Sequence, residues 1–382
     1  MRGRSEGPAW PGLSASRSLW GVKNIALGLF LALSVSTIAT EGAEAQGAEA
    51  ALHQPGELPV FHGLSYMTAF GPKNYSVVNL LYGIIVISLT VVAIIGVLVL
   101  AGCVMRGRRT GARPIGDVPL VHGGQGLYFV YIGIAVSFLT LFASALWNYE
   151  VLADVATQPP GDAPTIHVIG HQWWWEFAYS SPDPTRDFTT ANEIHIPVGK
   201  PVRIELTTAD VIHSFWVPAL TGKMDTIPGQ TNVTWMQADK AGVYRGQCTQ
   251  FCGQEHALMG LLVIAEPPQK FQAWWDRQLQ GPQPPAQEAA ATLAGEGQQA
   301  FMKNCAVCHS IRGTLAQGKV GPDLSHLMER NSLGAATLPN SIGDLSGWVA
   351  NPQTIKPGNY MPDLDLSAAD LVSIRQYLET LN

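Results

Sequence analysis

Charged residues are scarce in this chain. Only 14% of its 382 residues are Asp, Glu, Lys or Arg, whereas 47% are hydrophobic; soluble domains carry about 25% charged residues. The formal net charge is −6, so the sequence also lacks the basic excess that is typical of nucleic-acid-binding proteins. The composition therefore predicts membrane segments and argues against a nucleic-acid partner.

Cysteine is scarce too, with five residues, which is an odd count. Four of them form two closely spaced pairs, Cys248 with Cys252 and Cys305 with Cys308, while Cys103 ends an apolar run. Both pairs have the spacing of ligands, so they are the candidate sites of chemistry in this chain.

Residues 1–45 have the pattern of a secretion signal. Basic residues precede an uncharged apolar run at 25–39, and Ala43-Glu-Ala45 offers a cleavage site between small residues. The run is shorter than the ~20 residues that cross a bilayer, so cleavage is favoured over an uncleaved anchor. The mature protein is then expected to begin outside the cytoplasm.

Two longer stretches without charged residues predict membrane spans at about 78–104 and 120–147. The loop between them, 106–113, carries four arginines, and the positive-inside rule assigns it to the cytoplasm. Residues 46–150 are therefore interpreted as an external segment followed by a two-helix transmembrane hairpin with both ends outside.

Residues 160–266 read as an all-β domain. Short alternating runs separated by Pro, Gly and Asp are typical of a sandwich or barrel. The runs lie at 165–169, 193–196, 202–206, 231–235 and 261–264. His167 and His195 lie within these strand patterns and are interpreted as ordinary exposed or core histidines.

A candidate metal site lies near the end of this β domain. Cys248, Cys252, His256 and Met259 fall within twelve residues, and His213 lies upstream. Thiolate and thioether ligands select copper, zinc or iron–sulfur clusters, and imidazole suits copper and zinc. A single blue copper would leave one thiolate over, whereas two coppers sharing both sulfurs would use it. A disulfide or a zinc site is the alternative, and either would leave Met259 and His213 unused.

Three consecutive tryptophans, Trp173 to Trp175, lie in a strand pattern of the same domain. Because side chains alternate across a strand, Trp173 and Trp175 are expected on one face and Trp174 on the other. One interpretation is core packing with a single interfacial ring. The other is an exposed Trp173 indole close to the metal, through which electrons enter.

Residues 267–291 combine an amphipathic stretch with a Pro/Ala-rich linker, which marks a domain boundary. Beyond it, residues 292–382 contain Cys305-Ala-Val-Cys308-His309, the attachment signature of c-type haem. Taken alone, this motif could also be half a zinc knuckle or a redox pair, but no second pair follows.

The haem motif also needs a sixth iron ligand. Met361, in a Tyr-Met-Pro sequence, is the predicted ligand, because the rival Met328 follows His309 too closely to reach the other face of the ring. Ser367 and Asp370 resemble a capping box that opens a closing helix.

The copper loop, with the segments around His213 and Gly242, resembles subunit II of the haem–copper cytochrome oxidases. Residues 292–382 resemble a class I cytochrome c. The resemblance covers most of the chain from the first predicted span onward. It implies a two-helix transmembrane hairpin, then an all-β cupredoxin-like barrel, then an all-α class I cytochrome c domain.

The resemblance also implies roles for individual residues. His213, Cys248, Cys252, His256 and Met259 would bind a dinuclear copper centre, the CuA centre, together with the backbone carbonyl of Gln250. Cys305, Cys308, His309 and Met361 would hold one covalent haem c, and Trp173 would be an electron-entry candidate.

Two positions depart from the family pattern. At Gln250 the family usually has a Glu that also binds a magnesium ion shared with subunit I. At Tyr128 it commonly has a Glu at the mouth of a proton channel. These departures leave the magnesium site and the channel mouth unassigned.

The implied function is subunit II of a caa-type respiratory cytochrome c oxidase. It would relay electrons from haem c to copper and on to subunit I, which reduces oxygen to water coupled to proton translocation. Trp173 would then be a secondary entry point for external donors. Expected partners are subunits I and III, with a soluble or membrane-bound cytochrome c or the cytochrome bc complex as donor.

The expected location is the bacterial inner membrane, with both soluble domains on the periplasmic side. A membrane-tethered copper-delivery protein is the alternative, but it would need no haem. Quinol-using relatives have typically lost the copper ligands, and nitrous-oxide reductase, which shares the copper loop, lacks the two-helix hairpin.

Overall fold

The structure is a computed structural model that describes residues 60–61, 63–64, 66–108, 126–157, 163–282 and 293–382. The predicted secretion signal, most of the arginine-rich loop and most of the Pro/Ala-rich linker lie outside the described residues. The helices are α1 Pro72–Arg108, α2 Gly126–Val155, α3 Pro268–Gln278, α4 Leu293–Asn304, α5 Ile342–Ala350, α6 Pro352–Ile355 and α7 Ala368–Leu378. The strands are β1 Val60–Phe61, β2 Thr165–His171, β3 Trp174–Ser180, β4 Phe188–Ala191, β5 Glu193–Pro197, β6 Val202–Thr208, β7 His213–Val217, β8 Thr221–Thr226, β9 Asn232–Met236, β10 Gly242–Cys248, β11 Gly260–Glu266, β12 Ser332–Leu333 and β13 Leu338–Pro339.

Two helices, α1 and α2, are long and apolar enough to cross a membrane, over Pro72–Met105 and Leu127–Val155. Their Val, Ile, Leu and Phe side chains are largely exposed, which suits contact with lipid or a membrane partner. Helix α2 continues past residue 147, where the predicted membrane span ends. Charged residues end an apolar span, but they do not end the helix that contains it.

The first turn of α1 is anchored in the β domain. Lys73 Nζ donates a hydrogen bond of 2.6 Å to Thr234 Oγ1, and the Tyr75 hydroxyl donates one of 2.9 Å to Asp239. Nearby, Ser76 Oγ donates to Asp154 of α2 over 2.7 Å. These contacts fix the β domain at one end of the helix pair.

The all-β prediction is confirmed as two facing sheets. One has the strand order β5-β11-β10-β7-β8, with β1 added to β10, and the other has the order β4-β3-β2-β6-β9. Burial alternates strictly along β2 and β3, as expected for strands with one face on a core. Trp175, Phe177 and Phe215 are fully buried between the sheets.

The predicted amphipathic stretch forms helix α3. Its buried rings Phe271, Trp274 and Trp275 pack on the β core, where Trp274 and Trp275 each lie 5.3 Å from Tyr179 between ring centroids. Aromatic packing of this kind stabilises the end of the β domain from which the linker leaves.

The C-terminal region is mainly helical, as predicted, and adds a short hairpin, β12 with β13. The closing helix α7 begins as its capping sequence predicts, because Ser367 Oγ accepts a hydrogen bond of 3.1 Å from the Asp370 backbone N–H. Its apolar stripe is buried at Ile374, Tyr377 and Leu378. Phe301 of α4 packs against this stripe, 5.5 Å from Tyr377.

Helices α4 and α7 cross at Gly297. A Cβ at this position would overlap the backbone carbonyl of Ser373, so the crossing requires glycine. Gly347 in α5 is different, because a Cβ there meets nothing within 4 Å.

We expect Gly297→Ala to destabilise the protein by roughly 1–3 kcal/mol, the usual penalty for overpacking. Gly347→Ala is the matched control and should be neutral or stabilising by about 0.5–1 kcal/mol, since alanine favours a helix interior. Thermal unfolding followed by circular dichroism measures both. Equal stability of the two variants would contradict the close crossing.

Candidate functional site

The two sheets bring the predicted metal ligands to one end of the β domain. His213 opens β7 and Cys248 ends β10, and these strands are neighbours because Cys248 pairs with Phe215. Cys252, His256 and Met259 lie on the loop from β10 to β11. A backbone hydrogen bond of 2.9 Å from Cys248 N to Met259 O closes this loop.

The six predicted donor groups lie together around the two sulfurs. The Sγ atoms of Cys248 and Cys252 are 3.8 Å apart. Cys248 Sγ lies 4.0 Å from His213 Nδ1 and 3.3 Å from the Gln250 carbonyl oxygen. Cys252 Sγ lies 3.5 Å from His256 Nδ1 and 3.8 Å from Met259 Sδ. Each thiol therefore has one imidazole and one weak donor beside it.

This donor set fits copper. The 3.8 Å between the sulfurs is far from the ~2.05 Å of a disulfide, and both cysteines are free. His213 and Met259 are fully buried, and Cys248 and Cys252 are nearly so. Soft thiolate and thioether ligands select copper, and a thioether has no place in a zinc site of four strong ligands.

His213 is oriented by Asp210, which the sequence reasoning did not single out. His213 Nε2 lies 2.8 Å from Asp210 Oδ1, which leaves Nδ1 facing Cys248. Burial would raise the pKa of Asp210, but hydrogen bonds from His213, Val211 and Gln172 outweigh it and hold the pKa below its usual value. A carboxylate that contacts the second ring nitrogen is the usual partner of a metal-binding imidazole. The sequence signal for this role was an Asp three residues before the His.

Trp173 is not exposed, so the expectation of an open indole is wrong. Its exposed fraction is 7%, because it packs in the core cluster of the β domain. The Tyr360 ring also lies 5.2 Å away between centroids. The indole N–H donates a hydrogen bond of 3.0 Å to the carbonyl of Cys252. Trp175 is also buried, and Trp174, the first residue of β3, is partly exposed. The predicted alternation of side chains therefore holds for all three tryptophans, although Trp173 precedes the strand.

The predicted haem-binding residues also come together. Cys305, Cys308, His309 and Met361 line one cavity, whose walls are otherwise mainly apolar. His309 Nδ1 lies 2.8 Å from the Pro322 carbonyl, so it carries the proton and leaves Nε2 as the free ligand atom. Met328 packs against the hydrophobic core of this region instead. An apolar cradle with two thiols, an imidazole and a thioether fits a covalent haem.

The remaining predicted residues have ordinary surroundings. His195 is buried and paired with Glu266 at 3.0 Å, and His167 is half-exposed beside Glu205 at 3.3 Å. Tyr128 is exposed on α2. His167 and His195 are therefore an exposed and a core histidine, as expected.

Comparison with known proteins matches both soluble regions. A family model described as cytochrome c oxidase subunit II, periplasmic domain, matches residues 164–266, and a cytochrome c model matches residues 294–382. The chain is 35% identical to cytochrome c oxidase subunit 2 of Alkalihalophilus pseudofirmus over 326 residues, which cover 84% of this chain and 92% of that protein. It is 31% identical to the same subunit of Bacillus sp. strain PS3, covering 68% of this chain and 76% of that one.

Among solved structures, the periplasmic domain of subunit II of cytochrome oxidase from Bradyrhizobium japonicum matches at 35% identity, with a TM-score of 0.29. The match covers 32% of this chain and 96% of that one. The relative that is 35% identical aligns across the helices, the β domain and the C-terminal region together. This chain belongs to the cytochrome c oxidase subunit II family and carries a C-terminal cytochrome c domain.

Proposed function

We propose that this chain is the electron-entry subunit of a respiratory cytochrome c oxidase. It takes single electrons from a cytochrome c donor and delivers them to subunit I, where oxygen is reduced to water and protons are translocated. The observation that carries the proposal is the convergence of six copper-type donors in one cluster, together with a cleft lined by the predicted haem ligands. When bound, the dinuclear copper and the haem c supply the one-electron carriers.

The copper ligands would be of two strengths. Cys248, Cys252, His213 and His256 would be the strong ligands that hold the copper, and Met259 and the Gln250 carbonyl would be the weak ones. Asp210 keeps His213 in one orientation, and the hydrogen bond from Cys248 N to Met259 O keeps the loop closed. These contacts would limit rearrangement of the ligands when the charge changes.

In the cleft, Cys305 and Cys308 would attach the haem through two thioether bonds, and His309 and Met361 would be its iron ligands. His/Met ligation raises the haem potential into a range suited to electron transfer. Residues 281–291 join this domain covalently to the β domain, and linking two binding modules in one chain gives a local concentration of roughly millimolar. We therefore infer that electrons enter at the cytochrome domain.

The exposed apolar helices α1 and α2 would pack against subunits I and III in the bacterial inner membrane. The arginine-rich loop 106–113 would be cytoplasmic, so both soluble domains would face the periplasm. The donor would be a soluble or membrane-bound cytochrome c or the cytochrome bc complex. Gln250 and Tyr128 would leave the shared magnesium site and the proton-channel mouth without their usual carboxylates.

A membrane-tethered copper-delivery protein is less well supported. Such a protein needs exchangeable ligands, whereas Cys248, Cys252 and Met259 are buried. It also has no use for a cleft with haem-type ligands.

We expect Cys252→Ser to abolish the copper pair, because one remaining thiolate cannot bridge both ions. Electron paramagnetic resonance of the wild-type protein should show one unpaired electron shared by two copper nuclei. Cys103→Ser is the matched control, since Cys103 is exposed on α1. A four-line spectrum of a single copper nucleus in the wild type, or zinc by elemental analysis, would refute the dinuclear assignment.

We expect Met361→Leu to lower the haem potential and to slow the oxidation of cytochrome donors by roughly tenfold or more. Leucine keeps the apolar volume but removes the sulfur ligand. Met328→Leu is the matched control and should change neither quantity. Redox titration and stopped-flow kinetics on the complete oxidase provide the measurements, and a loss in Met328→Leu instead would reverse the ligand assignment.

A further inference from the structure

A lysine of the cytochrome domain is buried in contact with the β domain. Lys356 follows helix α6, and the residue is 3% exposed. Its Nζ donates a hydrogen bond of 2.8 Å to the Trp173 carbonyl, across the domain boundary, and one of 3.3 Å to the Gly334 carbonyl. Lysine is almost never fully buried unless it is paired with an acidic group, so the burial of Lys356 calls for an explanation.

Both hydrogen-bond acceptors of Lys356 are neutral carbonyls. None of the ion pairs between described residues includes this lysine. Burial lowers the pKa of Lys356 to about 8, and the negative charges of Glu255 and Cys252 oppose this shift. The amine is therefore protonated at neutral pH, and no carboxylate among the described residues neutralises its charge by direct contact.

The turn that carries Lys356 packs against the loop from β10 to β11. Gly358 in this turn has a φ of +88°, which favours glycine, and a Cβ there would overlap the side-chain amide of Gln254. The charge of Lys356 reaches the sulfur of a predicted copper ligand. Hydrogen bonding to Cys248 and burial raise the pKa of the Cys252 thiol, and the positive charge of Lys356 opposes this rise.

A buried charge acts on a neighbouring metal more strongly than a surface charge does. Coulomb interactions are large where the effective dielectric constant is low, and salt screens buried charges much less than exposed ones. A positive charge beside a redox metal favours the reduced form, because reduction removes positive charge from the metal. An ammonium group fixed beside the copper loop therefore makes bound copper easier to reduce.

Resting on the function proposed above, we propose that Lys356 raises the reduction potential of copper bound by His213 and the loop from β10 to β11. Lys356 belongs to the cytochrome domain, so the domain that donates electrons also sets part of the driving force toward its acceptor. The side chain ligates no metal and exchanges no electron or proton. It acts through its charge, which the hydrogen bonds to Trp173 and Gly334 hold in place.

Lys356→Gln tests the charge in the complete oxidase, because glutamine keeps an N–H donor for the Trp173 carbonyl. Redox titration followed by the absorbance of copper gives its potential. We expect the equilibrium between reduced and oxidised copper to shift roughly tenfold toward the oxidised form, which is about 59 mV for one electron. Lys356→Arg keeps the charge and should return the potential to the wild-type value.

Lys200→Gln is the matched control for loss of a lysine charge. Lys200 is exposed and follows β5, which runs parallel to β11 and so leads away from the copper loop. The copper potential should not change in this variant. The effect of Lys356→Gln should also persist at high salt, since a buried charge is poorly screened.

An unchanged copper potential in Lys356→Gln would overturn the inference, as would equal shifts in Lys356→Gln and Lys356→Arg. Loss of copper or an altered copper resonance spectrum in Lys356→Gln would also overturn it, because the lysine would then act on ligand geometry and not through its charge. Lack of copper in the wild-type oxidase would instead refute the proposed function on which this inference rests.

Discussion

Two hydrogen bonds onto one carbonyl connect the functional parts of this protein. The Cys252 carbonyl accepts from the Trp173 indole and from the Gln172 amide, so the copper loop is fixed by residues that also line the cytochrome cleft. Losing either donor would leave a buried acceptor less satisfied, which costs about 1–3 kcal/mol when no partner remains. The loop conformation, the position of Cys252 and one wall of the cleft therefore depend on the same contact.

The docking of the two soluble domains combines apolar and polar contacts in different roles. The tilted rings of Tyr360 and Trp173 are in contact, while the buried Glu193 and Lys356 form hydrogen bonds between the domains. Burial lowers the pKa of Lys356 to about 8, so its ammonium group is destabilised there and relies on its carbonyl acceptors. Such an interface is specific, because a shift of one domain against the other would leave these buried groups without hydrogen-bond partners.

The sequence allowed the local features to be predicted and missed those that depend on distant residues. The candidate copper ligands could be proposed from the sequence because four of the five candidate side chains fall within twelve residues, and the chemistry of Cys, His and Met is restrictive. The burial of Trp173 was missed because it depends on tertiary packing, and the contacting Tyr360 lies in the other soluble domain, farther away in sequence than the length of either domain. The continuation of α2 beyond 147 could not be read from hydropathy, because hydropathy marks the limits of the lipid-crossing span and not those of the helix.

The central claim is that residues of the β domain form one wall of the cytochrome cleft. Its most direct test is a cryo-electron microscopy map of the complete oxidase with copper and haem bound. We expect the Trp173 ring within about 4 Å of both the Tyr360 ring and the haem edge, a contact distance for packed groups. Its indole N–H should point to the Cys252 carbonyl. A map in which the cytochrome domain lies away from the β domain, with Trp173 open to solvent, would contradict the account.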